Sequence, residues 1–496
     1  MYYESSRNKS DRVSAHEAVI KGLADDGGLY TPNAMPAGIP VSEVLSLSYQ
    51  ETAAKIIRTM LDDYSEEEIR DCVNGAYDSK FDSDEIVPLH PIKDAWLMEL
   101  WHGPTSAFKD IALTLLPRLL TAAYRKDNRN DTVSILTATS GDTGKAALSG
   151  FADVPHTAIT VFYPEVGVSP IQKKQMQTSK GDNVEVIAVK GNFDDCQRMV
   201  KKAVSDPEVK SSLHNVTISS ANSINIGRLM PQIVYYYTSY AKLVSQKAIK
   251  CGDLVNFAVP TGNFGDILAG YFAHCLGLPI NHLICASNTN NVLTDFLKTG
   301  TYSIQRPFHT TMSPSMDILI SSNLERLLFI MSNYDDIAVQ GWMKDLNEKG
   351  SFSIPADMLS RIQELFKGVW TNEKECEDTI RTLYKEENTL IDPHTAVALH
   401  AMRKYREETG DSTPCIVLST ASPYKFSADV LKCISNETYS DDFAAMDRLH
   451  ELSGVKVPAN LSALRNLPVR FKRSIEQKDG MHAIAERMKE IGNVHD

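Results

Sequence analysis

From residue 131 onward the chain alternates β-rich runs with helical ones, and this alternation constrains its fold more than any other feature. "TVSILTAT", "HTAITVFYP", "NVEVIAVK" and "NVTISS" read as strands, separated by the helical runs "GDTGKAALSGFA", "SPIQKKQMQTSK" and "NFDDCQRMVKKAVSD". Strands joined through helices form βαβ units and hence a parallel sheet. A second set follows: a long helix predicted over about 224–245, a strand in "DLVNFAVPTG", a helix from 264, a strand in "HLICASN" and, after several helices, a strand in "PCIVLSTAS". The chain is therefore predicted to be α/β, with two parallel-sheet lobes, the smaller (130–224) inserted into the larger. Residues 1–92 read as a mostly helical unit, because "SEVLSLSYQETAAKIIRTML" and "SEEEIRDCVNGAY" carry helical spacing and serine starts. Proline-bearing "VPLHPIKDAW" closes that unit. The expected division is 1–92, a core of 93–440 and a C-terminal extension of 441–496.

Length and composition narrow the function. At 496 residues the chain exceeds one ordinary core. Hydrophobic content of 43% and charged content of 23% are those of a globular protein. A net charge of −12 argues against nucleic acid or an anionic membrane as the main partner. The polar start "MYYESSRNKSDRVS" lacks a signal-peptide core, and no apolar run reaches the ~18 residues of a membrane span. Eight scattered cysteines without a C-x-x-C pair read as reduced thiols, and the 13 histidines show no metal-ligand spacing. The expectation is a cytoplasmic protein, monomeric or homodimeric, that acts on a small molecule without a metal.

Ligands of such sheets lie beyond the carboxyl ends of the strands. Several motifs fall at element ends that converge there. Lys109 is the single lysine of "WHGPTSAFKD"; taken alone it reads equally as a surface lysine at a helix start. "AVPTGNFGDILAGYFA" is a strand, a glycine turn and a helix start. Gly262 and Gly265 there let the backbone turn and approach a ligand, and the helix N-terminus suits a phosphate. Asp266 is expected to cap that helix. "TATSGDTGKAAL" is a second such turn, with Thr139, Ser140 and Thr143 as hydroxyls and Gly141 and Gly144 for close approach. "SSANSINIGRLMPQ" sets Asn222, Ser223 and Arg228 between a strand and a helix; Arg228 reads as an anion ligand or as a structural salt bridge. "LSTASPYKF" ends a strand with Ser419 and Thr420, where a hydroxyl can donate to a neutral ring nitrogen. "VYYYTSY" reads as core packing. Each turn alone is also an ordinary loop. Jointly, a lone lysine for a Schiff base, a backbone phosphate cradle and a hydroxyl for a pyridine nitrogen describe a pyridoxal phosphate site.

The chain resembles the threonine synthases, members of the tryptophan-synthase-β-like, fold type II pyridoxal phosphate enzymes. "ADDGGLYTP" is similar to their N-terminal signature and "HGPTSAFKD" to their lysine motif; "SGDTGKAAL", "ANSINIGR" and "PTGNFGDILAGY" follow in order. The resemblance implies that Lys109 holds the cofactor as a Schiff base and then serves as acid and base. It implies that Gly262, Asn263, Phe264, Gly265 and Asp266 form the cofactor phosphate loop, and that Thr420 faces the ring nitrogen. Thr143, Asn222, Ser223 and Arg228 would bind the substrate, Arg228 at its phosphate. Asp142 stands where many relatives carry asparagine near the ring oxygen, so that a carboxylate there would have to share a proton. "STASPYKF" departs from the family's "STAHPAKF". The implied reaction converts O-phospho-L-homoserine and water to L-threonine and phosphate. Lys109 must then be neutral to act, and burial lowers a lysine pKa. Two alternatives stand beside this reading: a phospho-lyase that yields a 2-oxo acid, ammonia and phosphate, and a non-catalytic phosphate- or nucleotide-binding protein.

Overall fold

The apolar strand runs of the sequence assemble into two separate sheets in a computed structural model that describes residues 1–139, 141–165, 168–206, 209 and 213–492. The smaller sheet contains β6 (Thr132–Ala138), β7 (Thr157–Pro164), β8 (Val184–Lys190), β9 (Val216–Ser219) and, from far along the chain, β16 (Ser474–Glu476). Its order is β16-β8-β7-β6-β9, and every pairing is parallel. β6 and β7 are buried along their whole length. Helices cover both faces, which is why these strands read as continuous apolar runs.

The larger sheet joins β4 (Leu89–Ile92), β5 (Ala95–Glu99), β10 (Val255–Pro260), β11 (Ile280–Ser287), β14 (Phe366–Trp370) and β15 (Cys415–Ser419) in the order β14-β11-β10-β15-β5-β4. It is parallel except at its edge, where β4 runs antiparallel to β5. A buried helix, Ile226–Ser245, leads from the small sheet to the large one. Its tyrosines Tyr235, Tyr236, Tyr237 and Tyr240 are core residues, as expected. A small antiparallel pair, β12 (Thr301–Ser303) and β13 (Ser351–Ser353), lies outside both sheets.

The N-terminal region is helical, with the helices Ala15–Lys21, Tyr49–Met60 and Glu66–Ala76. Each begins at a serine in a capping box: Ser14 with Glu17, Ser48 with Glu51, and Ser65 with Glu68. It also carries an antiparallel sheet of β1 (Tyr3–Ser5), β2 (Asn8–Val13) and β3 (Tyr30–Pro32).

Two boundaries differ from the sequence reading. Residues 89–92 are the edge strand of the large sheet and not the end of an N-terminal unit. The small lobe is not residues 130–224 alone. β16 extends its sheet, and the helix Gly480–Gly492 buries Ala483, Ile484, Met488 and Ile491 in one cluster with Leu136, Phe162 and Ile187. The apolar face of β6–β8 thus needs the C-terminal segment to cover it. Among the described residues no helix is long and apolar enough to cross a membrane.

Candidate active site

Lys109 opens the short helix Lys109–Leu113, and the loop before it is tied to the end of β15. Phe108 N donates to Thr420 O at 2.8 Å, and Ser422 N donates to Ser106 O at 3.1 Å. Ser106 holds a φ of 59°, and its hydroxyl donates to Asn460 Oδ1 at 3.0 Å. Asn460 Nδ2 donates back to Pro104 O at 2.8 Å. Asp110 accepts from Thr105 N at 2.8 Å and from Thr105 Oγ1 at 2.6 Å. The loop is therefore fixed from three sides, and Lys109 stands beside Thr420. Its Nζ lies 3.9 Å from Asp142 Oδ2 and 4.5 Å from the Phe108 ring centroid. Burial lowers its pKa to about 8 against the pull of Asp142, and Lys425 and Arg228 push the same way as burial. A neutral amine is thus accessible near physiological pH, as a nucleophile requires.

Asp142 begins the helix Asp142–Phe151. Gly141 before it has a φ of 150°, and a Cβ there would lie 2.4 Å from the Gln172 side chain. Thr139 is not free to bind an anion, because its Oγ1 accepts from the N–H groups of Gly141 at 3.0 Å and Gly144 at 2.9 Å and so holds the turn. Ser140 lies outside the described residues; Thr143 is half-buried in the first helical turn. Asp142 itself is paired. Its Oδ1 lies 2.5 Å from Lys425 Nζ and accepts from Gln172 Nε2 at 2.8 Å. Burial opposes its charge, but Lys425 and Lys109 together hold its pKa well below the usual carboxylate range. Asp142 is thus a carboxylate with its own counter-ion in Lys425.

β10 leads through residues 261–264 into the helix Gly265–Cys275. Here the reasons differ from those read in the sequence. The left-handed residue of the turn is Phe264, at φ 62°, and neither Gly262 nor Gly265 has a positive φ. Gly262 is required because a Cβ would lie 2.7 Å from Ser315 O. Asp266 does not cap the helix. It lies in the first turn, and its Oδ1 accepts from Tyr235 Oη at 2.6 Å and Tyr236 Oη at 3.0 Å. Burial raises its pKa to about 6, and its Oδ2 has no hydrogen-bond partner. A second segment braces the loop: Ser321 Oγ donates to Gly262 O at 2.7 Å and Asn323 N to Asn263 O at 3.0 Å. The helix N-terminus stays available to an anion.

Asn222 and Ser223 are half-buried in the turn after β9. Ser223 lies against this loop, its Cβ 3.7 Å from where a Cβ on Gly265 would be. Asn225 caps the following helix by accepting from Gly227 N at 2.9 Å. Arg228 is 3% exposed and donates from Nη1 to Ala221 O at 2.9 Å, while its Nε has no partner. Among the described residues no carboxylate forms an ion pair with it, so the salt-bridge reading falls. Burial lowers its pKa to about 10.

Sequence reasoning missed Lys425, Asn460, Tyr235, Tyr236 and Gln172 at this site. Lys425 stood in "STASPYKF", where a lysine six residues past a buried strand end was a usable signal. The others reach the site from distant segments with no local mark.

A family model described as Pyridoxal-phosphate dependent enzyme matches residues 82–420. Models of the threonine synthase N terminus and C-terminal region match residues 2–77 and 395–484. The chain belongs to the threonine synthase family. The threonine synthase of Pseudomonas aeruginosa is 38% identical over 437 residues, covering 87% of this chain and 90% of that one. Human Threonine synthase-like 1 is 38% identical over 460 residues, covering 88% of this chain; the match spans only 61% of that protein's length. The solved PLP-bound threonine synthase of Brucella melitensis superposes with a TM-score of 0.87 at 35% identity, and the yeast enzyme with 0.88 at 33%; each covers 99% of both chains. These matches make the chain a member of a pyridoxal phosphate-dependent lyase family with the fold expected of it. The pocket fits that cofactor on its own geometry. It offers a buried lysine of lowered pKa and a helix N-terminus open to a phosphate.

Proposed function

We propose that this threonine synthase family member converts O-phospho-L-homoserine and water to L-threonine and phosphate. The observation that carries the reading is Arg228, a buried guanidinium with an orphan Nε and no carboxylate partner, whose charge also bears on Lys109. A cation so placed needs an anion from outside the chain, and a phosphorylated substrate supplies it. The N–H groups at Gly262–Asp266 take the cofactor's phosphate, and Thr420 faces its ring nitrogen. Bound there, pyridoxal phosphate supplies the aldehyde carbon that captures the substrate amine and the sink for electrons released at Cα.

The chain's own residues do the rest. Lys109 Nζ, in its neutral form, takes the Cα proton and delivers a proton again on the way to threonine. Arg228 holds the substrate phosphate until it leaves Cγ. Thr143, Asn222 and Ser223 bind the remainder of the substrate and orient Cα toward Lys109. Asp142 stays ionised beside the cofactor's ring oxygen, balanced by Lys425. The same reading has the chain working in the cytoplasm, as a monomer or homodimer, on a small molecule and without nucleic acid. Its net charge of −12 supports the last point. Incubation with O-phospho-L-homoserine and chromatography of the products tests the proposal. Equal yields of threonine and phosphate are expected; a 2-oxo acid with ammonia would replace it with the phospho-lyase reading.

A further inference from the structure

We propose that Lys425 is a positioning residue that reserves Asp142 for itself and so leaves the Lys109 amine without a close carboxylate partner. The proposal rests on Lys109 being the reactive lysine of the reaction above. Lys425 lies in the turn Pro423–Phe426, which follows β15, and its side chain is wholly buried. Its Nζ is 2.5 Å from Asp142 Oδ1 and donates to Thr105 O at 3.1 Å. Lys109 Nζ is 3.9 Å from the other oxygen of the same carboxylate. Two ammonium groups thus compete for one anion, and attraction falls with distance, so the shorter contact takes the larger share. Gln172 adds a donor on the Lys425 side, at Oδ1.

The other charges around Lys109 do not change the outcome. Arg228, on the Ile226–Ser245 helix, repels it. Asp110, on its own helix, and Asp266, on the Gly265–Cys275 helix, attract it; burial raises both carboxyls only to about 6, so both are ionised near pH 8 and pull on Lys109 alike in wild type and variants. Lys425 itself faces Asp142, Asp110 and Lys145. Loss of the Lys425 charge would remove a repulsion and hand Asp142 to Lys109; both effects favour the protonated amine. Loss of the Asp142 charge acts in the opposite direction.

The test follows the pH dependence of Lys109 acetylation by acetic anhydride in the full chain freed of pyridoxal phosphate, read by peptide mass spectrometry. The wild-type midpoint is expected near about 8. Lys425→Met should raise it by roughly 1–3 pH units, the range for gaining a close opposite charge. Lys425→Arg should restore it, and Asp142→Asn should lower it. An unmoved midpoint in Lys425→Met, or an equal rise in Lys425→Arg, would overturn the proposal. If Lys425→Met does not fold, Lys425→Gln decides, since an unmoved midpoint there is equally fatal. Borohydride reduction of the holoenzyme separately maps the cofactor. An adduct on Lys109 with unmoved midpoints overturns only the role of Lys425; no adduct on Lys109 overturns the proposed function.

Discussion

Replacing Arg228 by lysine keeps the charge and removes the fork, so it isolates what the guanidinium does. Among the described residues the Arg228 side chain makes one hydrogen bond, from Nη1 to Ala221 O at 2.9 Å, and leaves Nε unpartnered. A lysine ammonium can take over the contact to Ala221 O. The fold therefore loses at most one ordinary hydrogen bond, about 0.5–1.5 kcal/mol. The substrate loses more. A planar fork binds phosphate oxygens in pairs and an ammonium does not. Loss of one charged hydrogen bond costs about 1.5–3 kcal/mol, which predicts kcat/KM for O-phospho-L-homoserine roughly 10- to 100-fold lower. The visible band of the lysine–cofactor Schiff base should stay in place, because the cofactor's phosphate is assigned to the Gly262–Asp266 loop. Steady-state kinetics and an absorbance scan on one preparation decide the matter. Unchanged kinetics would refute the argument, and a lost absorbance band would move Arg228 from the substrate to the cofactor.

Lys109→Ala should fold and lose threonine formation by several orders of magnitude, because nucleophile and acid–base group disappear together; coupled phosphate release measures it. Gly262→Val should weaken pyridoxal phosphate binding in equilibrium dialysis, since its Cβ would lie 2.7 Å from the Ser315 carbonyl and the braced turn would have to move. Tyr235→Phe removes the 2.6 Å donor to buried Asp266, and at about 1–3 kcal/mol for a buried acceptor left short it should lower both melting temperature and cofactor affinity. Burial disfavours the charged form of His102, but hydrogen bonds with Asp82 and Glu99 outweigh this and raise its pKa from 6.5 to about 9. Its contribution to stability is full below about pH 6.5 and is lost as pH rises through about 9; melting curves of His102→Asn should lack that part of the wild-type decline.

The strands of both parallel sheets were readable because burial on two faces demands continuous apolar runs, as in "TVSILTA" and "VNFAVP". β16 was not. Its "SIE" is short and partly exposed, and it joins the sheet at an edge whose partner, β8, lies almost 300 residues earlier. β2 escaped for a similar reason: "NKSDRV" alternates exposed and half-buried polar residues and carries no apolar stripe; β1 is buried but only three residues long. At the candidate site, Lys109, Thr420 and Arg228 stood out in the sequence because hydroxyl residues lie near them at element ends. Their supports were not. Asn460 steadies the Ser106 turn from 354 positions away, and Tyr235 reaches Asp266 across 31, contacts that only the folded chain creates. Gly262 was singled out in the sequence for its turn, and its φ is not positive. Its position was visible, but the neighbour that forbids a Cβ, the Ser315 carbonyl, was not.

The buried charges explain why such a pocket is made to be filled. Burial lowers the pKa of Lys109, Lys145 and Arg228 and raises that of Asp110 and Asp266. Each of these groups is thus pressed toward its neutral form in the ligand-free chain, and the Asp142–Lys425 pair is the compensated exception. An anion brought into the pocket opposes that pressure on the cations. It also restores charge to Lys109, which would quench the amine if no carboxylate were withheld from it. On the proposed function, with phosphate on both cofactor and substrate, the site must therefore keep one amine neutral amid added negative charge. A second lysine holding the nearest fixed carboxylate by the closer contact, 2.5 Å against 3.9 Å, is the arrangement these distances describe.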